Sequence, residues 1–332
     1  YNTMKKSTIT CDMEGRILTM NDGAEQVFGY PKDELIGKKR VSLFSPGEIV
    51  LQNVEGWLNE AVKEGEYVGK TNFIKKNGEK FNAKIRITPT FANGKDNPQT
   101  GYCGVTEVID EEVEVPINFS TKLIKGLAIT RMPFTSASIL PILAVGAYFA
   151  GVGDDLFNVT NFVLCIFGVL IAHLGVNVLN DYFDVKDGTD EANSDYFQQV
   201  SGGSRAIELG LISLSGTKKL GLILTAVALV IGGIVLLSTN PANLNSVIYI
   251  GLAGLFLGYF YTAPPLRLVA KKGLGELTIF LAFGPLITLG TAFAIFNGDL
   301  SSVDHNHLMN CLLIGVPMGL LTTNILLINE FP

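Results

Sequence analysis

The stretch Asn177-Val-Leu-Asn180-Asp181-Tyr-Phe-Asp184 closes a long apolar segment and decides the fold of the larger part of the chain. On a helix of about 100° per residue, its two amides and two carboxylates fall within about 60° of Asn177 and form one stripe. Carboxylates at the mouth of an apolar span are costly unless positive charge neutralises them. Oxygen ligands at this spacing suit Mg²⁺, which takes one or two carboxylates together with phosphates and water. The alternative is that Asp181 and Asp184 only cap a membrane helix in interfacial water.

The composition divides the chain of 332 residues into a charged first third and an apolar remainder. Residues 1–118 hold 15 of the 25 Lys and Arg residues and 18 of the 31 Asp and Glu residues. We therefore expect a soluble first part and a membrane-embedded remainder. A chain of this length typically forms about two domains, which agrees with this division. Both parts are mildly acidic, so no basic surface indicates a nucleic-acid partner. The four cysteines are scattered, without the spacing of a disulfide scaffold or a zinc site.

The first 115 residues carry the pattern of a small α+β domain. Asp12-Met-Glu-Gly15 separates two short alternating runs, and Asn77-Gly78 joins two longer runs as a strong hairpin signal. Between these hairpins the sequence predicts short helices and one longer amphipathic helix over 48–63. A last strand is expected over 101–109. The order is a strand pair, helices and then three antiparallel strands, which predicts an α+β fold.

This order resembles a PAS domain over residues 1–115. The acidic run Asp110–Glu114, followed by Pro116, indicates the start of a linker, and residues 116–122 are assigned to that linker. Four local sequences carry the resemblance: Asp12-x-x-Gly15-Arg-Ile, Asn21-x-x-Ala24-x-x-x-Phe28-Gly29-Tyr30, Glu34-Leu-Ile-Gly37 and Lys76-Asn-Gly78-x-x-Phe81. The resemblance implies a small ligand or a partner PAS domain, and hence a PAS-mediated homodimer. The region has no flavin-reactive cysteine motif and no histidine for haem. A dimerising or degenerate sensor module is therefore favoured, and the PAS ligand is left unknown.

Six apolar segments follow, each long enough to cross about 30 Å of hydrocarbon, and they predict an all-α polytopic membrane bundle. Their expected bounds are 123–151, 158–182, 214–238, 245–262, 273–297 and 307–331. The basic residues of this part lie at the start of the first segment or in the 2–3 and 4–5 connections. Since basic residues favour the cytoplasmic side, the PAS head and the Asp181 stripe are predicted to be cytoplasmic. The sequence thus predicts a multi-pass protein of the cell membrane.

An internal repeat gives the acidic stripe a second copy. Lys125-Gly-Leu127 and Lys272-Gly-Leu274 open the first and fifth segments, 147 residues apart. Asn180-Asp-Tyr-Phe183 and Asn329-Glu-Phe-Pro332 close the second and sixth, 149 residues apart. Glu330 then corresponds to Asp181, and the counterpart of Asp184 would be the residue after the last one given. We therefore expect the natural protein to continue beyond Pro332 and the chain as given to be inactive by itself.

Two connections on the predicted cytoplasmic side carry groups suited to an anion. Ser201-Gly-Gly203-Ser-Arg205 combines glycines that allow close backbone approach with an arginine that can bind phosphate oxygens bidentately. A plain turn is an equal alternative there. The 4–5 connection offers Tyr261 and Arg267, although its basic residues also serve topology. Together with two acidic helix ends, these residues predict a site in which paired ions hold one diphosphate.

The membrane part resembles the UbiA superfamily of integral-membrane aromatic prenyltransferases, whose first motif has the form N-D-x-x-D-x-x-x-D. Asn177, Asn180, Asp181 and Asp184 match, and the last acid is either Asp187 or Asp190, which we expect on the loop after Gly188. Three further strings resemble the dihydroxynaphthoate prenyltransferase branch that makes menaquinone: Ser201-Gly-Gly-Ser-Arg205, Tyr261-Thr-Ala-Pro-Pro-Leu-Arg267-Leu and Gly273-Leu-Gly-Glu276. The resemblance implies about nine membrane helices, each long enough to cross a bilayer, with six present and residues 123–332 forming an incomplete domain.

The resemblance implies Mg²⁺-dependent transfer of a polyprenyl group from its diphosphate to an aromatic acceptor, such as 1,4-dihydroxy-2-naphthoate. We therefore predict metal ligation by the acids Asp181, Asp184, Asp190 and Glu330. Predicted substrate contacts come from Asn177, Asn180, Gly203, Arg205, Tyr261 and Arg267. Among these residues Asp181, Asp184, Arg205 and Tyr261 are the predicted catalytic groups, and the PAS head is expected to regulate the site.

Two other classes of protein compete with this interpretation. A PAS-containing membrane sensor without catalysis explains the head but gives the acidic helix ends no purpose. A transporter explains a repeated bundle, yet transporters usually place polar groups near the middle of the membrane, whereas these groups cluster at one face.

Overall fold

The computed structural model describes residues 6–187, 206–207, 210–303 and 305–330. The chain forms two compact units: the first comprises residues 1–126 and 208–211, and the second comprises residues 127–207 and 212–332. The predicted site residues Asp190, Gly203 and Arg205 lie outside the described residues, as does the side chain of Glu330.

The first unit is built on a five-stranded antiparallel sheet in the order β2-β1-β5-β4-β3. Its strands are β1 (Lys6–Asp12), β2 (Ile17–Met20), β3 (Tyr67–Ile74), β4 (Lys80–Thr90) and β5 (Gly101–Val108). The Asn77-Gly78 turn joins β3 to β4, with Gly78 at φ 84° and Phe73 opposite Phe81. Glycine is needed there because a positive φ is strained for other residues. The α+β prediction for this part is confirmed.

Short helices cover one face of the sheet and enclose its core. They are α1 (Asp22–Phe28), α2 (Lys32–Leu35), α3 (Gly47–Ile49) and α4 (Glu55–Glu64). Asn21 caps α1 by accepting a hydrogen bond from the Ala24 amide at 2.9 Å, which satisfies one of the free amides of the first turn. Phe28 is buried in the core and stacks on Phe44 with ring centroids 4.0 Å apart. The helix caps and the buried aromatic face are both local features of the sequence.

Helix α5 (Phe119–Thr130) differs from the expected organisation at the start of the membrane part. It begins inside the predicted linker 116–122, and the predicted first segment 123–151 is divided at Arg131. Arg131 adopts the left-handed conformation, with φ 50° and ψ 39°, and a short 3₁₀ turn follows it. This break was not predicted, although Pro133, in the turn that follows Arg131, is a residue that interrupts helices.

The second unit is helical, and its described residues contain six helical segments long and apolar enough to cross a membrane, as predicted. Its helices are α6 (Ser136–Val152), α7 (Val159–Lys186), α8 (Leu214–Ser238), α9 (Leu244–Phe260), α10 (Leu274–Leu281), α11 (Ile287–Ile295), α12 (Leu300–Val303) and α13 (His305–Glu330). A wider π-helical turn around Pro285 joins α10 to α11, so these two helices make one span. The six candidate spans are Met132–Val152, Val159–Lys186, Leu214–Ser238, Pro241–Phe260, Leu274–Ile295 and Asn306–Ile328.

Two kinds of contact hold the bundle together. Gly284 and Gly319 let the fifth and sixth spans approach so closely that a Cβ on either glycine would lie within 3.0 Å of the opposing backbone. Small residues at such contacts are typical of membrane helix packing. At the amino-terminal end of α7, the buried Asn161 amide donates to the Ala294 carbonyl at 2.7 Å. That bond satisfies a polar group that would be costly if left unpaired in an apolar interior.

Candidate functional site

The polar stripe predicted from the sequence lies on the last turns of α7. Asn177, Asn180 and Asp181 are buried, and Asp184 is half-buried. The helix ends immediately after them, and the Asp187 amide donates to the Phe183 carbonyl as the cap. The carboxyl end of a helix is the negative end of its dipole, so acids there require nearby cations. The fold supplies these cations from two other parts of the chain.

The first cation is Arg131, which precedes the first span. Its guanidinium forms an ion pair with Asp181 at 2.5 Å, and the Asp181 side chain is only 6% exposed. The Asn177 amide donates to the Thr130 carbonyl at 3.1 Å, which fixes the backbone beside Arg131. The bond between Arg131 and Asp181 joins two charged groups, and such hydrogen bonds are among the stronger ones in proteins. Arg131 was expected only as one of the basic residues at the start of the first segment that set the topology, and not as a residue of the site.

The second cation is Arg267, in the connection between the fourth and fifth spans. It forms an ion pair with Asp187 at 2.9 Å, so one of the two alternatives for the third acid lies beside a predicted substrate-binding residue. Arg267 has φ 40°, a left-handed conformation that is uncommon for a residue with a Cβ. The same connection reaches α7 a second time, because the Thr262 hydroxyl donates to the Asn180 side-chain oxygen at 2.6 Å. Thr262 was not predicted.

Asp184 lies at the centre of these charges. It interacts electrostatically with both arginines, Arg131 and Arg267, and with the two neighbouring acids, Asp181 and Asp187. Three carboxylates and two guanidinium groups therefore share the carboxyl end of α7. Among the described residues of this group, the carboxylates outnumber the guanidinium groups by one, and a bound cation would balance that charge.

Aromatic side chains pack beside the charged groups. Tyr182 and Phe183 are buried with Leu179 and Ala263. Phe183 meets Tyr259 in an edge-to-face contact with centroids 5.8 Å apart. Tyr261 is half-buried in the same connection and precedes Thr262, which contacts the stripe. Ring faces of this kind can stabilise a positive charge that develops next to them.

The carboxylates of the site can be judged by the ligands that a magnesium ion requires. Within the described ranges, 6–187, 206–207, 210–303 and 305–330, no three His, Cys, Asp or Glu side chains are grouped closely enough to hold a metal ion without help. Mg²⁺ does not need such a cage, because it is commonly held by one or two carboxylates plus water and substrate phosphates. Asp181 and Asp184, three residues apart at the end of one helix, fit that requirement.

Comparison with known proteins gives two family matches. Residues 138–332 match the UbiA prenyltransferase family, and residues 5–108 match a PAS domain family. The PAS part also resembles the crystal structure of the PAS domain of a protein from Colwellia psychrerythraea, at 19% identity and a TM-score of 0.31. That match covers 34% of this chain and 92% of the other.

Two curated relatives are naphthoate or naphthoquinone prenyltransferases by name. The first is the chloroplastic 2-carboxy-1,4-naphthoquinone phytyltransferase of Arabidopsis thaliana, 30% identical over 76% of this chain and 60% of the relative. The second is the 1,4-dihydroxy-2-naphthoate octaprenyltransferase of Bacillus subtilis, 28% identical over 61% of this chain and 58% of the relative. The chain thus spans less than two thirds of either relative. The family match over the helical unit and the acid-bearing end of α7 agree, and the chain belongs to the UbiA prenyltransferase family, with a PAS domain at its amino-terminal end.

Proposed function

We propose that the protein transfers a polyprenyl group from a polyprenyl diphosphate to an aromatic acceptor, in a reaction that depends on Mg²⁺. The acceptor we propose is 1,4-dihydroxy-2-naphthoate, as in menaquinone biosynthesis, by analogy with the names of the relatives. The observation that carries the proposal is the carboxyl end of α7, where Asp181 and Asp184 meet two arginines. We further propose that this end of the bundle and the PAS domain face the cytoplasm. The proposed carboxyl end of the PAS domain is residue 115.

Asp181 and Asp184 are the proposed metal ligands, with Asp190 and Glu330 as further proposed ligands on the sequence argument alone. Bound Mg²⁺ would supply positive charge that neutralises the diphosphate and improves it as a leaving group. Arg267, together with Arg205, is proposed to bind phosphate oxygens, and Gly203 to allow close backbone approach. Asn177 and Asn180 are proposed substrate contacts, and their hydrogen bonds to Thr130 and Thr262 also fix the position of the helix end.

The proposed reaction breaks the allylic carbon–oxygen bond, and the diphosphate leaves with the bonding electrons. The resulting allylic cation is stabilised by aromatic faces, for which Tyr261 is the proposed residue. The electron-rich ring of the acceptor then attacks with its carboxylate-bearing carbon, which loses the carboxylate as carbon dioxide. The apolar spans are proposed to hold the isoprenoid tail and to keep water away from the cation.

A transfer assay on the full-length protein in lipid tests this proposal. Product formation from a labelled polyprenyl diphosphate and 1,4-dihydroxy-2-naphthoate is measured with Mg²⁺ and with a chelator. We expect activity only with the metal, and its loss in Asp184→Asn. The control Asp155→Asn changes an exposed acid in another connection and should remain active. Wild-type turnover by Asp184→Asn would refute the proposed role, and a protein without metal-dependent transfer would favour the sensor interpretation.

A further inference from the structure

Helix α5 has two faces with different surroundings. On one face Gln52 accepts hydrogen bonds from the Asn118 amide at 2.7 Å and from the Thr121 hydroxyl at 3.0 Å. One turn later, Lys125 forms an ion pair with Glu48 at 2.6 Å. Both partners belong to the helical stretch before β3 in the same unit. This face of the helix is therefore held by the PAS unit through directed polar contacts.

The other face is exposed, and apart from Ser120 its exposed side chains are apolar. Phe119 is 81% exposed, Leu123 53% and Ile124 51%. At about 100° per residue, these three side chains lie within an arc of about 140° that does not include Thr121 or Lys125. Phe119 and Leu123 are one turn apart on that arc. Exposed apolar groups that cluster on one face mark a surface that another apolar surface covers.

This helix is a separate element and not an extension of the first span. It has 12 residues, which corresponds to a length of about 18 Å and is too short to cross about 30 Å of hydrocarbon. Arg131 then takes a left-handed conformation that ends the helix, and the candidate span begins at Met132. The backbone therefore leaves the helical conformation at Arg131, between α5 and the first span.

The carboxyl end of α5 is located by its contact with the second span. The Thr130 carbonyl accepts a hydrogen bond from Asn177, in the polar stripe at the end of α7. A buried polar stripe next to the end of a membrane span belongs near the boundary between lipid and water. The last residue of α5 consequently lies at that boundary, directly before the chain enters the membrane.

We propose that α5 lies in the membrane interface, with Phe119, Leu123 and Ile124 inserted among the lipids. Amphipathic helices bind in this way by placing apolar side chains a short distance below the headgroups. Lys122, exposed at the edge of the apolar arc, can extend its ammonium towards the headgroups. The occupant of this face is thus the same bilayer that the six spans cross. The inference depends on the membrane assignment of the spans and not on the proposed catalytic activity.

Spin labelling of the full chain in lipid nanodiscs tests the proposal. The four native cysteines are first replaced by alanine. A nitroxide is then attached to Leu123→Cys, and separately to Val62→Cys and Leu18→Cys, whose native side chains are 51% and 49% exposed in the PAS unit. We expect the Leu123 label to be accessible mainly to oxygen, which dissolves in lipid. The two control labels should be accessible mainly to a water-soluble nickel complex.

Two results would overturn the proposal. A Leu123 label as accessible to nickel as the controls would place this face in water. Spin–spin broadening that disappears when labelled protein is diluted with unlabelled protein would show that a second copy of the chain covers the face. Emission from the single tryptophan, Trp57, which is buried in the PAS core, reports whether each variant is folded.

Discussion

At the residue scale, Arg131, which lies outside α7, belongs to the candidate site as much as the acids of the polar stripe do. Arg131 is 50 residues from Asp181 in sequence and reaches it only through the packing of the first two spans. The acids could be predicted because they are one helical turn apart, so a helical wheel brings them together. Arg131 and Thr262 could not, since no local spacing links them to α7.

We expect Arg131→Ala to destabilise the helical unit by about 3 kcal/mol, because it leaves the buried Asp181 carboxylate without its ion-pair partner. The free energy of unfolding of the purified protein, measured in denaturant, checks this. Lys219→Ala is the control, since Lys219 is exposed, and we expect a change of about 0.5 kcal/mol or less. Equal effects of the two substitutions would show that the Arg131 pair does not contribute to stability.

At the element scale, the spans were predicted but their interruptions were not. Composition and length located six apolar segments, because a bilayer sets the number of residues needed to cross it. The division at Arg131 and the π-helical turn each coincide with a proline, Pro133 and Pro285, and this local signal was not used to place the interruptions. The PAS strands were predictable for a different reason: Asn77-Gly78 specifies its turn locally.

The close contact between the fifth and sixth spans predicts a selective effect of adding one methyl group. A Cβ at Gly319 would lie 2.5 Å from the Phe280 carbonyl oxygen, so Gly319→Ala must push the two spans apart. We expect a loss of about 2 kcal/mol in the free energy of unfolding. Gly232→Ala is the matched control, because no atom beyond its own helix lies within 4 Å of its added Cβ. A Gly319 variant as stable as this control would contradict the close packing.

The attachment of α5 to the PAS unit gives a second prediction at this scale. Gln52→Ala removes three hydrogen bonds, to Pro116, Asn118 and Thr121. At about 1 kcal/mol each, even two of them would change the local opening equilibrium by about 30-fold. Hydrogen exchange of amides 119–122 should therefore accelerate. Gln26→Ala, an exposed glutamine on α1, should leave these amides unchanged, and equal protection in both variants would rule out the attachment.

At the scale of the whole molecule, a PAS domain and a helical membrane domain of the UbiA prenyltransferase family share one chain. The change in charge density near residue 118 was enough to predict this division. The purpose of the fusion is a proposal: the PAS domain regulates prenyl transfer. Coupling between sites in one protein typically changes affinity about 5-fold or more. Deletion of residues 1–115 is therefore expected to change the transfer rate by about that factor, and an unchanged rate would remove the support for regulation.

The central claim is that the carboxyl end of α7 binds a diphosphate together with magnesium, and direct binding tests it without requiring turnover. Binding of a labelled isoprenoid diphosphate to the full-length protein in nanodiscs is measured with Mg²⁺ and with a chelator, in the wild type, Asp184→Asn and Asp155→Asn. The account predicts metal-dependent binding by the wild type and by Asp155→Asn, and its loss in Asp184→Asn. Binding that is independent of the metal, or unchanged in Asp184→Asn, would contradict it.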